Sequence, residues 1–454
     1  MAIQTLNPAT GEVLKTFDSW DQAQIDHTLQ LVADATPAWQ QTTLTDRAGL
    51  LRAAAKELRG NNNDYADLIS LEMGKAITEA RAEIEKCAAV CDYYAKNGAA
   101  FLKDEIIDSD AGRSFTAYIP LGTVLAVMPW NFPFWQVFRF AAPGLMAGNT
   151  AVLKHASNVP QCALAIENVF KASGFPENVF RSLMIPASLT QGVIEDPRVH
   201  AVTLTGSEPA GRKVASTAGA NLKKSVLELG GSDAFVVLED ADLDLAASAG
   251  VKSRYLNNGQ SCIAAKRFIL VEDIAEEFIK RFTKNAKALV QGDPMNEATQ
   301  LGPMARRDLR DELHQQVSDS IAQGAVPILG CNPVEGAGAY YPVSILDQVR
   351  PGVRAYEEEL FGPVAIVIRA KDEPDALRIA NDHRYGLGGS VWTQNDKRGE
   401  SFARKMQSGA TFVNGLVKSD PRLPFGGIKA SGYGRELSVL GIREFVNVKT
   451  IWVK

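Results

Sequence analysis

Cysteine and histidine are both scarce in this sequence, which has five of each among 454 residues. The cysteines form an odd, sparse set, a pattern that argues against a disulfide framework and is typical of a reducing compartment. None of the histidines is grouped with a cysteine at the spacing of metal ligands, so the sequence favours no metal site. We therefore expect a cytoplasmic protein without a bound metal.

The chain also lacks a basic run and a long uninterrupted apolar run. Its formal net charge of −5 argues against nucleic acid or an anionic membrane as a partner, which makes small molecules the favoured ligands. Residues 1–8 show no basic start followed by an apolar stretch, so we expect no secretory signal. Residues 120–148 are rich in apolar side chains, but Pro129, Pro133 and Arg139 interrupt them. We interpret this segment as strand, turn and helix in a core, not as a membrane span.

The spacing of apolar residues predicts helices over 20–39, 45–61 and 63–102. After a polar, acidic segment at 104–114, strands and helices alternate, which predicts βαβ units with mostly parallel sheets. Strand candidates are 122–128, 148–154, 201–205, 225–229, 267–271, 365–369, 390–392 and 411–413, and later helix candidates are 274–290, 306–323 and 374–381. The pattern predicts an α/β fold with two domains that meet near residue 230.

The last residues, 444–454, alternate polar and apolar side chains as an edge strand does. An exposed strand edge invites pairing with another subunit. We therefore expect a homo-oligomer.

Two short segments, 227–231 and 258–262, place a carboxylate and a thiol beside glycines. The carboxylate is Glu228 and the thiol is Cys262. A cysteine at its ordinary pKa is mostly protonated at neutral pH, so a catalytic thiol needs a base or an electropositive setting. Either residue alone is more often structural, but together they suggest a base and a nucleophile.

Several motifs follow one another in a fixed order. They are Pro129-Trp130-Asn131-Phe132-Pro133, Thr205-Gly206-Ser207, Glu228-Leu229-Gly230-Gly231, Gly259-Gln260-Ser261-Cys262, Glu359-Leu360-Phe361-Gly362-Pro363 and Pro424-Phe425-Gly426-Gly427. This series resembles the aldehyde dehydrogenase superfamily over nearly the whole chain, from Asn7 to Glu436. Within the superfamily the chain resembles the short NADP-dependent succinate-semialdehyde dehydrogenases.

The resemblance implies a Rossmann-like cofactor domain, an α/β catalytic domain and a small β oligomerisation arm. The cofactor domain would comprise residues 1–101, 121–229 and 431–443, the catalytic domain 230–430, and the arm 102–120 and 444–454. A homodimer or a dimer of dimers is expected.

The resemblance also implies a mechanism. Cys262 would attack the aldehyde carbonyl, and the side-chain amide of Asn131 and the backbone N–H of Cys262 would stabilise the oxyanion. After hydride transfer to the nicotinamide, Glu228 would activate the water that hydrolyses the thioester. The alternative for Asn131 is an ordinary turn residue before Phe-Pro.

The cofactor residues are implied in the same way. Gly206 and Ser207 would contact the phosphates at a helix N-terminus, although they also suit an ordinary helix start. Leu229 would lie near the carboxamide, Trp130 beside the cofactor, Glu359 on the nicotinamide ribose and Phe361 against the ring. Phe361 has a simple core position as its alternative.

Residues 154–157 depart from the family pattern, which often has an acidic residue at the position of Ser157. That acid binds the adenosine ribose and would repel a 2′-phosphate. With Ser157 in its place and Lys154 nearby, we expect NADP to be preferred, with NAD possible. His155 in place of the customary proline leaves the shape of this loop open.

The substrate is inferred from Arg139, which lies among aromatic residues after Asn131. A carboxylate on the substrate would balance its charge, with the hydroxyl of Ser419 joining it, and succinic semialdehyde fits both. An internal Asp or Glu is an equally weighted alternative partner for Arg139. Other functions left open are oxidation of another small aldehyde with NAD, and a catalytically silent cofactor-binding or structural protein.

Overall fold

The computed structural model describes residues 3–332 and 334–454. Residues 1 and 2, which belong to the expected cofactor domain and to the N-terminal segment inspected for a secretory signal, lie outside the described residues, as does residue 333 in the expected catalytic domain. Among the described residues, no helix is long and apolar enough to cross a membrane.

The described helices begin with four that precede the first large sheet and continue between the strands. They are α1 (Gln22–Gln40), α2 (Leu44–Gly60), α3 (Asn62–Met73), α4 (Ile77–Phe101), α5 (Trp135–Ala147), α6 (Pro160–Ala172), α7 (Thr190–Glu195), α8 (Glu208–Ala220), α9 (Leu243–Tyr255), α10 (Glu272–Lys287), α11 (Arg307–Ala322), α12 (Arg354–Glu357), α13 (Glu373–Asn381), α14 (Asp396–Lys405) and α15 (Ser438–Arg443).

The strands form two large sheets and three small ones. They are β1 (Ile3–Leu6), β2 (Val13–Phe17), β3 (Glu105–Ile107), β4 (Arg113–Pro120), β5 (Thr123–Met128), β6 (Thr150–His155), β7 (Phe180–Ser182), β8 (Ala201–Thr205), β9 (Lys224–Glu228), β10 (Asp233–Val237), β11 (Ala265–Val271), β12 (Val326–Leu329), β13 (Ser344–Asp347), β14 (Val364–Ala370), β15 (Tyr385–Gly386), β16 (Gly388–Trp392), β17 (Ala410–Val413), β18 (Ile428–Lys429), β19 (Gly432–Tyr433) and β20 (Val446–Val453).

The first large sheet has the strand order β19-β9-β8-β5-β6-β7, and its strands are parallel except for β19. The register pairs Thr205 with Glu228 and Met128 with His155. The carboxyl ends of β5, β6, β8 and β9 therefore meet at one edge of the sheet. Ligands of open α/β sheets bind at this edge, and the predicted cofactor motifs follow these strands directly.

The second large sheet has the order β12-β13-β14-β11-β10-β16-β17 and is parallel except for β12. The predicted strands near 267–271, 365–369, 390–392 and 411–413 are all present in it. Its strand β10 was missed in the sequence. Asp is unfavourable in strands, but here Asp233 begins β10 and its carboxylate accepts the backbone N–H of Gly388 at 3.0 Å.

The predicted helix over 63–102 is wrong as a single element, because the chain breaks between α3 and α4. Gly74 ends α3 in the left-handed conformation, with φ 76°. A Cβ at this position would lie 2.8 Å from Pro303, so the close approach also requires glycine. The other predicted helices are confirmed to within a few residues at each end.

The C-terminal strand β20 pairs antiparallel with β4, which also pairs with β3. Large apolar side chains on this three-stranded sheet are exposed: Ile106, Ile107, Ile119, Val448, Trp452 and Val453. By the strand register, Ile107, Val448 and Trp452 share one face of this sheet, and Ile106, Ile119 and Val453 share the other. Exposed apolar side chains gathered on a small sheet are typical of a protein interface.

Candidate active site

A cleft of about 630 Å³ lies where residues of both large sheets meet. It is lined by eight of the predicted site residues: Trp130, Asn131, Gly206, Ser207, Leu229, Cys262, Glu359 and Phe361. The rings of Trp130 and Phe361 contact each other edge to face, with their centroids 5.9 Å apart. The structure thus brings residues from distant parts of the chain into one concave site.

The turn before Cys262 is held in an unusual conformation. Asn257 and Asn258 both have φ 56°, a region that costs a side-chain-bearing residue roughly 1 kcal/mol or more. The amide of Asn258 compensates by donating to the carbonyls of Gly74 and Pro303, both at 2.8 Å, while its oxygen accepts the N–H of Gly302 at 2.7 Å. These bonds fix the position of the cysteine that follows.

Asn131 is buried beside this turn. Its side-chain amide donates to the backbone carbonyl of Gln260 at 3.1 Å. Its backbone carbonyl accepts a hydrogen bond from the side-chain amide of Asn257 at 2.8 Å. An asparagine amide carries two N–H donors, and only one is used here. The second N–H has no acceptor among the described residues.

The thiol of Cys262 is half-buried. Burial raises its pKa to about 11, and the positive charges of Arg139 and Lys266 act in the opposite direction. The thiol is therefore protonated at neutral pH in this structure, and catalysis requires removal of its proton.

Lys266 is a site residue that the sequence reasoning missed. Its ammonium group donates to the carbonyls of Ser261 and Cys262 at 2.8 and 2.9 Å, and it pairs with Glu359 at 3.1 Å. The available signal was the pair of charged residues Lys266 and Arg267 at the start of an apolar strand, since a buried charge requires a partner.

Glu228 lies at the carboxyl end of β9 and is buried, and neither of its carboxyl oxygens has a hydrogen-bond partner among the described residues. Burial first, and then the nearby carboxylate of Glu436, raise its pKa well above the ordinary value. Glu228 is not among the residues that line the cleft, although its neighbours Leu229 and Gly230 are. Burial thus favours the protonated form of this carboxyl group, which lies outside the cleft lining.

Arg139 has an internal partner, the second of the two alternatives that the sequence left open. Its guanidinium forms an ion pair with Glu436, donates to the hydroxyl of Thr205 at 3.1 Å and lies 4.6 Å from the centre of the Phe425 ring. Both partners of the ion pair are buried. A substrate carboxylate is therefore not needed to balance the charge of Arg139, which corrects the argument that made it the substrate anchor.

Ser419 lies outside the cleft lining and does not contact Arg139. Its hydroxyl oxygen accepts hydrogen bonds from the indole N–H of Trp135 at 3.1 Å and from the ammonium group of Lys86 at 2.7 Å. Trp135 is the first residue of α5 and follows Asn131 by four residues. Ser419 therefore lies near the loop that contains Asn131. The positively charged group that contacts its hydroxyl is Lys86 and not Arg139.

Lys154 and Ser157 lie at the end of β6 and in the loop after it. Ser157 is exposed, whereas Lys154 is buried, and burial lowers the pKa of Lys154 to about 8. No described residue forms a hydrogen bond or ion pair with the Lys154 ammonium group. Lys154 is thus a buried cation at the carboxyl edge of the first sheet, without a described partner.

His155 explains the shape of the loop that the sequence left open. Its Nδ1 accepts the backbone N–H of Ala156 at 2.9 Å, so Nε2 carries the proton and donates to the carbonyl of Pro133 at 2.9 Å. Burial lowers its pKa to about 4, and the ring is neutral. His155 thus links the loop after β6 to the segment that contains Asn131.

Comparison with known proteins agrees with this geometry. The model of the aldehyde dehydrogenase family matches residues 1–451. A probable succinate-semialdehyde dehydrogenase (NADP+) of Synechocystis sp. is 50% identical over 453 residues, which is 100% of both chains. The succinate semialdehyde dehydrogenase (NAD(P)+) Sad of Escherichia coli is 48% identical over 99% of this chain and 97% of its own.

Among solved structures, succinic semialdehyde dehydrogenase from Streptococcus pyogenes in complex with NADP+ has a TM-score of 0.97 at 37% identity, with 100% of both chains covered. The expected fold is thereby confirmed. Since the family model spans nearly the whole sequence and relatives of about half-identical sequence match along their full length, this chain belongs to the aldehyde dehydrogenase family.

Proposed function

We propose that this protein oxidises succinic semialdehyde to succinate with NADP, and that NAD is also accepted. The observation that carries the proposal is the half-buried thiol of Cys262 in a cleft, with the unused amide N–H of Asn131 beside its loop. Relatives at 50% and 48% identity are named as succinate-semialdehyde dehydrogenases that use NADP or NAD(P), which supports the substrate and the cofactor.

The residues of the first sheet fit a phosphorylated dinucleotide. Helix α8 begins after Ser207, whose side chain makes no capping hydrogen bond, so the first N–H groups of the helix are free for phosphate oxygens. The unpaired ammonium group of Lys154 is suited to a further phosphate. When bound, NADP supplies the hydride acceptor of the reaction.

The chain's own residues then carry the other steps. Glu228 in its ionised form accepts the proton of the Cys262 thiol and passes it to solvent, the sulfur bonds to the aldehyde carbon, and the carbonyl oxygen takes the negative charge. Asn131 and the backbone N–H of Cys262 donate to that oxygen, and each such donor is typically worth about 3 to 4 kcal/mol of transition-state stabilisation.

Hydrolysis of the thioester requires a base for the attacking water. We assign this role to Glu228 in its ionised form. Arg139 and Arg435 favour that form, whereas burial and Glu436 oppose it. The rate of hydrolysis should therefore follow the ionisation of this carboxyl group.

The two large sheets and the three-stranded sheet of β20, β4 and β3 suggest a division of roles. Residues 1–101, 121–229 and 431–443 would bind the cofactor, 230–430 would carry the nucleophile, and 102–120 with 444–454 would form the oligomerisation arm. The exposed apolar residues of β20, β4 and β3 support a homodimer or a dimer of dimers through this arm. Five free cysteines suit a cytoplasmic location.

The test is a steady-state assay of the purified protein with succinic semialdehyde and butanal, each with NADP and with NAD. We expect the highest kcat/KM for succinic semialdehyde with NADP. Little turnover of succinic semialdehyde beside good turnover of butanal would contradict the substrate assignment. Unchanged dehydrogenase activity in Cys262→Ala would contradict the mechanism and reopen the possibility of a silent cofactor-binding protein.

A further inference from the structure

One face of α4 contacts three parts of the active site in succession. The carboxylate of Glu79 accepts the backbone N–H of Asn257 at 2.8 Å, in the turn before Cys262. The carboxylate of Glu83 accepts the N–H groups of Phe134 and Trp135 at 2.9 and 3.0 Å, at the start of α5. Residues at a spacing of three or four lie on the same face of a helix, so Lys86 is the next residue of this row.

Lys86 forms a small cluster with Trp135 and Ser419, which we call the Lys86 cluster. Its ammonium group lies 4.0 Å from the centre of the Trp135 ring and 2.7 Å from the hydroxyl oxygen of Ser419. Lys86 is half-buried, and Trp135 and Ser419 are buried. No described carboxylate pairs with Lys86, since Glu83 pairs with Lys75 and Asp420 pairs with Arg422.

The hydrogen-bond donors of the Lys86 cluster exceed its acceptors. A serine hydroxyl has two acceptor lone pairs and one donor O–H. The oxygen of Ser419 already accepts from Lys86 and from Trp135, so its O–H must point elsewhere, and no described group accepts it. Lys86 has two further N–H donors without acceptors. Three unused donors and one positive charge are thus gathered in one place, an arrangement that suits an anion with several oxygens.

The Lys86 cluster adjoins the segments that carry Asn131 and Cys262. Trp135 is the first residue of α5 and follows Asn131 by four residues. The helix row that carries Lys86 also holds the turn before Cys262 through Glu79, and the charge of Arg139 acts on both Lys86 and Cys262. The cluster is thus on the side of the site where the far end of a short substrate held at Cys262 would lie.

We propose that Lys86, together with the hydroxyl of Ser419, binds the carboxylate at the far end of the aldehyde substrate and thereby sets the preference for a short acidic aldehyde. This inference rests on the proposed function, whose substrate class it explains. It gives to Lys86 the role that the sequence suggested for Arg139, whose charge Glu436 already balances.

The test compares succinic semialdehyde with butanal, which has four carbons and no carboxylate. In Lys86→Met we expect the ratio of the two kcat/KM values to fall about 10- to 100-fold, as for the loss of a charged hydrogen-bond partner. Lys86→Arg should retain most of the preference. Ser419→Ala should reduce it less than Lys86→Met does. Lys96→Met, an exposed lysine on the same helix, is the matched control and should leave both substrates unaffected.

The pH dependence of the substrate preference can be measured on the unaltered enzyme, so this test does not depend on whether a variant folds. Burial and the nearby Arg139 lower the pKa of Lys86 to about 8, while Glu83 and Cys87 act in the opposite direction. The preference for the acid over butanal should therefore decline as the pH rises through about 8. Taking the ratio cancels titrations that affect both aldehydes, that of Cys262 included.

The outcomes separate the two proposals. If the unaltered enzyme does not prefer the acid, the proposed substrate is wrong. If it does prefer the acid, but Lys86→Met keeps the full preference and the ratio does not change with pH, the assignment of Lys86 is wrong while the proposed function stands.

Discussion

The buried carboxyl group of Glu228 lies close to that of Glu436, and a single guanidinium, that of Arg139, pairs with Glu436. Two buried carboxyl groups that share one cation cannot both ionise easily. Glu436 holds the contact with Arg139, and its charge adds to burial in raising the pKa of Glu228 well above the ordinary value. The base proposed for thioester hydrolysis is thus controlled by a neighbour that lines no part of the cleft.

Replacing Glu436 by glutamine should lower the pKa of Glu228, because it removes a negative charge and frees Arg139. The acid limb of the pH profile for hydrolysis of 4-nitrophenyl acetate, measured without cofactor, should move to lower pH. Glu400→Gln, on the exposed face of α14, is the control. If the acid limb does not move in Glu436→Gln, the ionisation of Glu228 does not control the rate of hydrolysis.

Alkylation should report directly on the thiol of Cys262. The other four cysteines are buried, so iodoacetamide should modify Cys262 first, and Cys262→Ala should abolish the rapid phase. Since burial raises the pKa of this thiol to about 11, the rate should still be rising at pH 9 to 10. Lys266→Met removes a positive charge that favours the thiolate and should slow alkylation at any given pH. A rate that levels off near neutral pH would contradict this description.

The neutral ring of His155 should make the protein less stable in mild acid. Its pKa is lowered from 6.5 to about 4, so the unfolded chain binds the proton more readily than the folded one. Its contribution to stability is complete above pH 6.5 and declines as the pH falls toward 4, by about 3 kcal/mol in total at about 1.4 kcal/mol per pH unit. Urea unfolding at several pH values should show a flatter dependence in His155→Gln than in the unaltered protein. His27→Gln, at an exposed position, should show no such change.

Cofactor preference should depend on the end of β6. Ser157→Glu places a negative charge in the loop where we expect the 2′-phosphate, and Lys154→Met removes the buried cation. Each should lower kcat/KM for NADP about 10- to 100-fold while changing that for NAD much less, because only NADP carries the additional charge. Lys213→Met, on α8, serves as a comparison for the loss of a lysine elsewhere. Equal losses with both cofactors would show that these residues shape the loop without distinguishing the phosphate.

The exposed strand β20 should be required for assembly. Trp452→Asp and Val448→Asp each place a charge among the exposed apolar side chains of the arm, and we expect them to reduce the molar mass measured by light scattering. Lys449→Asp, which changes charge at a polar position of the same strand, is the control. A molar mass that is unchanged in both apolar variants would assign the interface to another surface.

Which residues line the cleft could largely be predicted from the sequence, because they lie in short motifs. Asn131, Gly206 and Leu229 each lie within a few residues of the carboxyl end of a parallel strand, and the sheet then brings them together. The turn before Cys262 could also be predicted, because Gly259 lies in it. Local patterns were sufficient to predict the position of a residue wherever it lies at the end of its own strand.

What could not be predicted depends on contacts between distant parts of the chain. No local sequence pattern indicates that Glu436 pairs with Arg139, and none indicates that Lys86 contacts Ser419. Strand β10 was missed because its first residue, Asp233, is held by a contact with Gly388 that no local pattern reveals. The break at Gly74 likewise depends on Pro303, which lies in a different element.

Helix α4 holds Cys262's turn, the start of α5 and Ser419 through three different side chains. Glu79 and Glu83 fix backbone groups, whereas Lys86 contacts only side chains. Position 86 can therefore be altered without loosening the backbone around the nucleophile. A natural or designed relative could carry a neutral or an acidic residue at this position. Its substrate specificity would then shift to a different aldehyde, while the catalytic residues stayed unchanged.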